Sequence, residues 1–202
     1  MDNTQQTIFE LIQKKRVELD KKDNTVSWKK FIGDYFVRVI IEFLSEKIPK
    51  EYKITKPNAF ITGYPIEYDL LIVNMDSEPE SYTHSFDPKD VHLGMELKLN
   101  GIYGSKKDLR DNIQKVKNNF NLVIDKHNHI DFVYLTFSEV TNPKRKGSIN
   151  YLEINRDVFE PDYGAFCLSD SRREAITPDL ENQWVNFVQK VNRHLVSKRE
   201  IK

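Results

Sequence analysis

The sequence predicts a mixed α/β fold: a helix, three strands, a second helix and a fourth strand, followed by further strands and a closing helix. Three observations carry this. Trp28, Phe31, Ile32, Tyr35, Phe36, Val39, Ile40 and Phe43 recur at helical spacing. Several short runs then alternate apolar and polar residues with the period of a strand. Near the end, Leu180, Trp184, Phe187, Val188, Val191 and Leu195 return to the helical period. A mixed β-sheet flanked by helices satisfies all three.

Taken in order, Ile8, Leu11 and Ile12 suggest a short first helix, then a charged link over residues 20–24. The Trp28–Phe43 stripe follows, with Ser27 placed to cap its start and Pro49 after its end. Strand-like stretches come next at 52–62, 66–74 and 91–99. Residues 74–90 form a long acidic connection carrying Pro79 and Pro88. Leu109, Ile113, Val116, Phe120 and Val123 make an amphipathic helix. Residues 130–137 (IDFVYLTF) have the aromatic and β-branched content of a strand. Strands are also expected at 148–154 and 163–168. Thr177-Pro178-Asp179 reads as the opening of the last helix: cap, first-turn proline and first-turn acid.

Composition narrows the function classes. A chain of 202 residues fits one domain, 1–202, with a core at about 27–140 and the C-terminal strands and helix of 148–197 packed on it. Lys plus Arg equal Asp plus Glu at 31 each, so no overall field draws nucleic acid. That counts against a nonspecific DNA coat, not against an enzyme whose phosphate contacts are local. Cys167 is the only cysteine, which excludes an internal disulfide and a cysteine zinc cluster. The start lacks the pattern of a signal peptide and no apolar run is long enough to cross a membrane, so a cytoplasmic location is expected.

The richest segment is residues 91–99, VHLGMELKL. Strand side chains alternate, so Leu93, Met95, Leu97 and Leu99 point one way and Gly94, Glu96 and Lys98 the other. The apolar row should anchor the strand; Gly94 should leave room beside the acid and the base. Upstream, residues 67–73 (EYDLLIV) read as a strand holding Asp69. Neighbouring strands of this kind would bring Asp69, Glu96 and Lys98 together, as in a metal-dependent phosphodiesterase. Glu-x-Lys alone is cheap in a chain that is 31% charged, and it recurs at 51–53 and 200–202. Only the copy at 96–98 lies in an alternating strand that follows an acid-bearing one.

With this element order, Asp69 within Glu67-Tyr68-Asp69-Leu70-Leu71 and the triplet Glu96-Leu97-Lys98, the chain resembles the restriction-endonuclease-like, or PD-(D/E)XK, superfamily over roughly residues 27–140. Two departures stand out: Tyr68 rather than proline precedes Asp69, and a long connection separates the two acids. The resemblance implies an α-β-β-β-α-β nuclease core and a metal-dependent endonuclease acting on DNA, with a restriction or defence role and a homodimeric state as associated expectations. It implies Mg²⁺, with Mn²⁺ able to substitute, held by Asp69, Glu96 and the Leu97 carbonyl. Lys98 would orient the attacking water or stabilise transition-state charge. Its ordinary pKa of ~10.4 favours the electrostatic role. Family members often place a supporting acid on the first core helix, where Glu42 is the candidate; an i,i+4 pair with Arg38 is the competing reading.

Basic clusters at Lys106-Lys107, Lys144-Arg145-Lys146 and Arg172-Arg173 could meet phosphates, or be ordinary solvated surface. Gly101-Ile102-Tyr103 and His127-Asn128-His129 spell fragments of other nuclease motifs, but read better as turns. His84, His92 and His194 read as isolated histidines, and Cys167 as a small core residue. Two alternatives to an enzyme stay open. One is a non-catalytic nucleic-acid-binding or assembly module that retains the fold; the other is a plain ion-pair cluster on a sheet edge.

Overall fold

The computed structural model describes residues 3–20, 26–100, 106–139, 157–159, 163–170 and 175–197. The basic clusters at 144–146 and 172–173, the strand expected at 148–154, the Gly101–Tyr103 turn and most of the 20–24 link lie outside them.

The long helices among the described residues are α1 (Thr4–Asp20), α2 (Val26–Ser45), α3 (Lys106–Ile124) and α4 (Gln183–Ser197). Among the described residues the main sheet has five strands in the order β1 (Tyr52–Ile54), β4 (Leu70–Asn74), β6 (Val91–Asn100), β7 (Asp131–Glu139), β8 (Gly164–Asp170). The first three pair antiparallel; β6, β7 and β8 run parallel. The expected mixed sheet is therefore present, with α1 running longer than the short helix anticipated.

Two expected strands are each divided. The stretch at 52–62 breaks at Lys56-Pro57-Asn58, where proline lacks an N–H and Asn58 takes φ 62°. Its second half, β2 (Ala59–Ile61), leaves the main sheet. The stretch at 66–74 breaks at Asp69 into β3 (Glu67–Tyr68) and β4. Strands β3 and β2, with β5 (Ser85–Phe86), form a second sheet in the order β3-β2-β5. The 74–90 connection is thus partly ordered by β5 and by a 3-10 turn at Pro88–Asp90, whose Asp87 side chain accepts the Lys89 N–H. The last helix also starts later than expected. Pro178–Leu180 is a separate 3-10 turn without a Thr177 side-chain cap, and Asn182 at φ 65° turns the chain into α4.

Both faces of the main sheet are covered. On one, Leu93, Met95 and Leu97 of β6 pack with Ile8 and Ile12 of α1, Phe36, Ile40 and Leu44 of α2, and Trp184, Phe187 and Val191 of α4. On the other, Leu71, Val73, Phe132 and Tyr134 meet Ile113, Phe120 and Val123 of α3 and Ala59, Ile61 and Phe86 of the small sheet. Each fully buried side chain of this size contributes about 1.5–3 kcal/mol. The first face also holds a polar clasp. Gln5, buried on α1, donates to the carbonyls of Leu168 (2.9 Å) and Leu180 (2.8 Å) and accepts the Trp184 N–H (3.0 Å). Three segments distant in sequence are thereby tied to the first helix.

Candidate active site

Asp69 is the single residue between the two sheets: β3 ends at Tyr68 and β4 begins at Leu70. Its carbonyl accepts from the Asn58 N–H at 3.3 Å, which fixes the bend. The antiparallel register Leu70↔Met95 carries Asp69 level with Glu96 on β6, an interior strand between β4 and β7. Its carboxylate turns toward β6. Asp69 Oδ2 accepts the Leu97 N–H at 2.6 Å and lies 3.5 Å from Lys98 Nζ. Lys98 also pairs with Glu96 Oε1. The three groups therefore converge, two carboxylates on one ammonium, and Asp69 is anchored to the main chain of the strand that bears the other two.

Burial sets their electrostatics. The Glu96 side chain is 16% exposed, Asp69 23% and Lys98 35%. Burial pushes the Glu96 carboxyl above the usual range; Lys98 pulls the other way, while Asp69 and Glu67 add to the rise. Burial opposes the Lys98 charge, but Glu96 and Asp69 together outweigh it and hold the ammonium above its ordinary value. Lys98 thus stays a cation near neutral pH. Two phenols border the cluster. Tyr134 faces Glu96 across the β6–β7 register, and Tyr68 directly precedes Asp69. Burial raises both phenols, with the Glu96 charge adding to each. The Tyr68 hydroxyl is buried without a hydrogen-bond partner. The sequence offered one signal for Tyr68, its place where the resembled motif carries proline.

Several expectations need correction. The space beside Gly94 is not open: a Cβ there would meet Phe132 Cε1 at 2.4 Å and Cδ1 at 2.6 Å. The glycine makes room for that ring, which stacks on Phe120, rather than for a substrate. Glu42 is exposed rather than at a buried border, and it forms no ion pair with Arg38. The α2 residues Phe36, Ile40 and Leu44 pack on the Leu93–Met95–Leu97 face, whereas Glu96 and Lys98 alternate to the opposite one. Glu42 is not brought to the cluster. Lys106 and Lys107 open α3, but their side chains are outside the described residues. His92 and His194 are not isolated in space: His194 Nε2 lies 2.9 Å from the His92 carbonyl, and His194 shares Asp131 with Lys190, whose ion pair measures 2.8 Å. His127 and His129 lie in the turn between α3 and β7, where His129 Nε2 sits 2.9 Å from the Pro88 carbonyl. Cys167 is fully buried.

The cluster has the chemistry of a hard-cation site, since its charged acceptors are carboxylate oxygens already arranged around a positive group. Among the described residues no three His, Cys, Asp or Glu side chains are grouped to hold a metal ion. Asp69 and Glu96 could thus supply two ligands, leaving the others to main-chain oxygen, water or phosphate. No helix among the described residues is long and apolar enough to cross a membrane.

No protein-family model matches the sequence, and no curated protein does. Among solved structures, the chain is similar to NucC of P. aeruginosa ATCC27853 in its cAAA-bound form. The TM-score is 0.59 and the identity 16%, over 95% of this chain and 88% of that one. NucC of E. coli MS115-1 in its apo form aligns with a TM-score of 0.45 and 16% identity, over 79% of this chain and 73% of that one. The first likeness shows a shared fold.

Proposed function

We propose that this chain is a metal-dependent endonuclease that hydrolyses phosphodiester bonds in DNA, with a role in restriction or defence. The observation that carries the reading is the meeting of Asp69, Glu96 and Lys98 at the point where one sheet hands the chain to the other. The fold shared with NucC supports it. So does the position of β6: a merely structural ion-pair cluster is cheapest at a sheet edge, whereas this one sits on an interior strand and is only 16–35% exposed.

In this reading Asp69, Glu96 and the Leu97 carbonyl would hold Mg²⁺, or Mn²⁺ in its place. A bound divalent ion supplies Lewis-acid polarisation of the phosphate and a water of lowered pKa. The rest falls to the chain's own groups. The Leu97 N–H fixes one Asp69 oxygen, so that carboxylate cannot rotate away from β6. Lys98, kept cationic by its two neighbours, is a poor proton acceptor and a good electrostatic partner for charge developing on phosphorus. A fixed cation of this kind is worth most where water is thinned out, as beside the partly buried Glu96. A homodimer would place one such site on each DNA strand.

The test is nicking of supercoiled plasmid with Mg²⁺ or Mn²⁺, comparing the wild type with Asp69→Ala and Lys98→Ala. Nicking by the wild type and nicking at least about a hundredfold slower by either folded variant is the expected result. DNA binding without cleavage in any metal would replace the enzyme with a binding module.

A further inference from the structure

We propose that Lys98 is the resident cation of the Asp69–Glu96 site, and that a divalent metal enters only as the ammonium is handed to an anionic substrate. The inference rests on the hydrolase reading above and adds an order of assembly to it. A divalent ion held by these two acids would sit beside the ammonium that now pairs with both, through Asp69 Oδ2 at 3.5 Å from Nζ and through Glu96 Oε1. A second cation at that point meets like charge in a half-buried setting, where repulsion is weakly screened. One of them must leave.

Lys98 is the member able to move. Asp69 is tied to the β6 main chain through the Leu97 N–H at 2.6 Å, and Glu96 is the least exposed of the three at 16%. Lys98 is the most exposed at 35% and carries its charge on a flexible four-carbon stem. Departure into water alone would leave it without a counter-charge. A phosphodiester anion supplies one, so substrate and metal each ease the entry of the other. Linkage makes this reciprocal: the factor by which DNA tightens metal binding is the factor by which metal tightens DNA binding. The device would keep the site closed to free divalent ions while no nucleic acid is present.

Calorimetric titration of Mn²⁺ into the chelator-stripped full chain tests this without reference to activity. Lys98→Met and Lys98→Gln remove the charge and keep most of the stem. Both should bind Mn²⁺ at least about tenfold more tightly than the wild type, the scale of one close charge pair. A phosphorothioate-linked duplex, which resists hydrolysis, should tighten Mn²⁺ binding to the wild type and leave both variants nearly unchanged. Equal or weaker Mn²⁺ binding by the folded variants, with Asp69→Asn abolishing it, would overturn the plug and leave the metal site standing. No Mn²⁺ binding by any of these folded proteins, with or without duplex, would remove the plug and the hydrolase reading together. The duplex arm needs no variant: a wild type whose Mn²⁺ affinity ignores the duplex also overturns the proposal.

Discussion

Two of the polar clusters packed on this sheet lie on opposite faces, and they are made on opposite terms. The Gln5 clasp is neutral and complete: one amide makes three hydrogen bonds of 2.8–3.0 Å to β8, the 3-10 turn and α4. The Asp69–Glu96–Lys98 cluster is charged and unequally matched, two like charges sharing one counter-ion while burial raises Glu96. A satisfied neutral group holds a fold together at little cost. Half-buried charges with unequal partners are weak evidence for stability, and an arrangement of that kind invites a chemical role. The contrast separates a cluster that holds architecture from one whose terms suit the proposed chemistry.

The comparison breaks most sharply on activity. Lys98→Ala should lower the plasmid-nicking rate by about 10²–10³-fold, the usual cost of one preorganised electrostatic group. Gln5→Ala should leave the rate per folded molecule within about twofold of wild type, because the clasp lies on the other face of the sheet. A Gln5 variant as inactive as Lys98→Ala, yet still folded by circular dichroism, would erase the distinction.

On stability the order reverses. Gln5→Ala strands two buried carbonyls and one buried N–H, and should cost about 2–4 kcal/mol in urea denaturation. Gly94→Ala, on the strand that bears the charges, forces a methyl into the Phe132 ring and should cost about 1–3 kcal/mol. Phe132 cannot yield easily, since it is fully buried and stacked on Phe120 with ring centroids 4.5 Å apart.

The smallest expected effect is on pH dependence, and it separates a charged cluster from a neutral one. Glu96 is raised above its ordinary value of 4.5 in the fold. From that value up to the raised folded one, the native state binds the extra proton, so this group's contribution to stability falls as pH rises through the window. Lys98 is raised as well, so its contribution is present below 10.5 and is lost only as pH climbs through its folded value. In chelator, Glu96→Gln should therefore remove a downward slope that begins above pH 4.5. Gln5→Ala should shift the whole curve without changing its slope.

Much of this was written in periodicity. The alternation of residues 91–99 correctly sends Leu93, Met95 and Leu97 into the core and sets Glu96 and Lys98 on one face, because strand geometry leaves only two directions for a side chain. The helical stripes of α2 and α4 follow from spacing in the same way, except that Phe31, read as part of the α2 stripe, is exposed. Periodicity is silent on which sheet a strand joins. Residues 66–74 read as one strand, yet they serve two sheets and pivot at Asp69.

What the sequence determined by itself is local: which segments are helix or strand, and that an acid and a base share a face of β6. The meeting of Asp69 with that pair was anticipated from neighbouring strands, but long-range packing alone set its anchor on the Leu97 N–H, put Phe132 in the space at Gly94, left Glu42 facing solvent and let Gln5 tie four segments together. The reason is range. Spacing reports forces between residues a few positions apart, whereas these contacts close separations of 28 residues (Asp69 to Leu97) to 179 residues (Gln5 to Trp184), and their partners are fixed only once the sheets have packed.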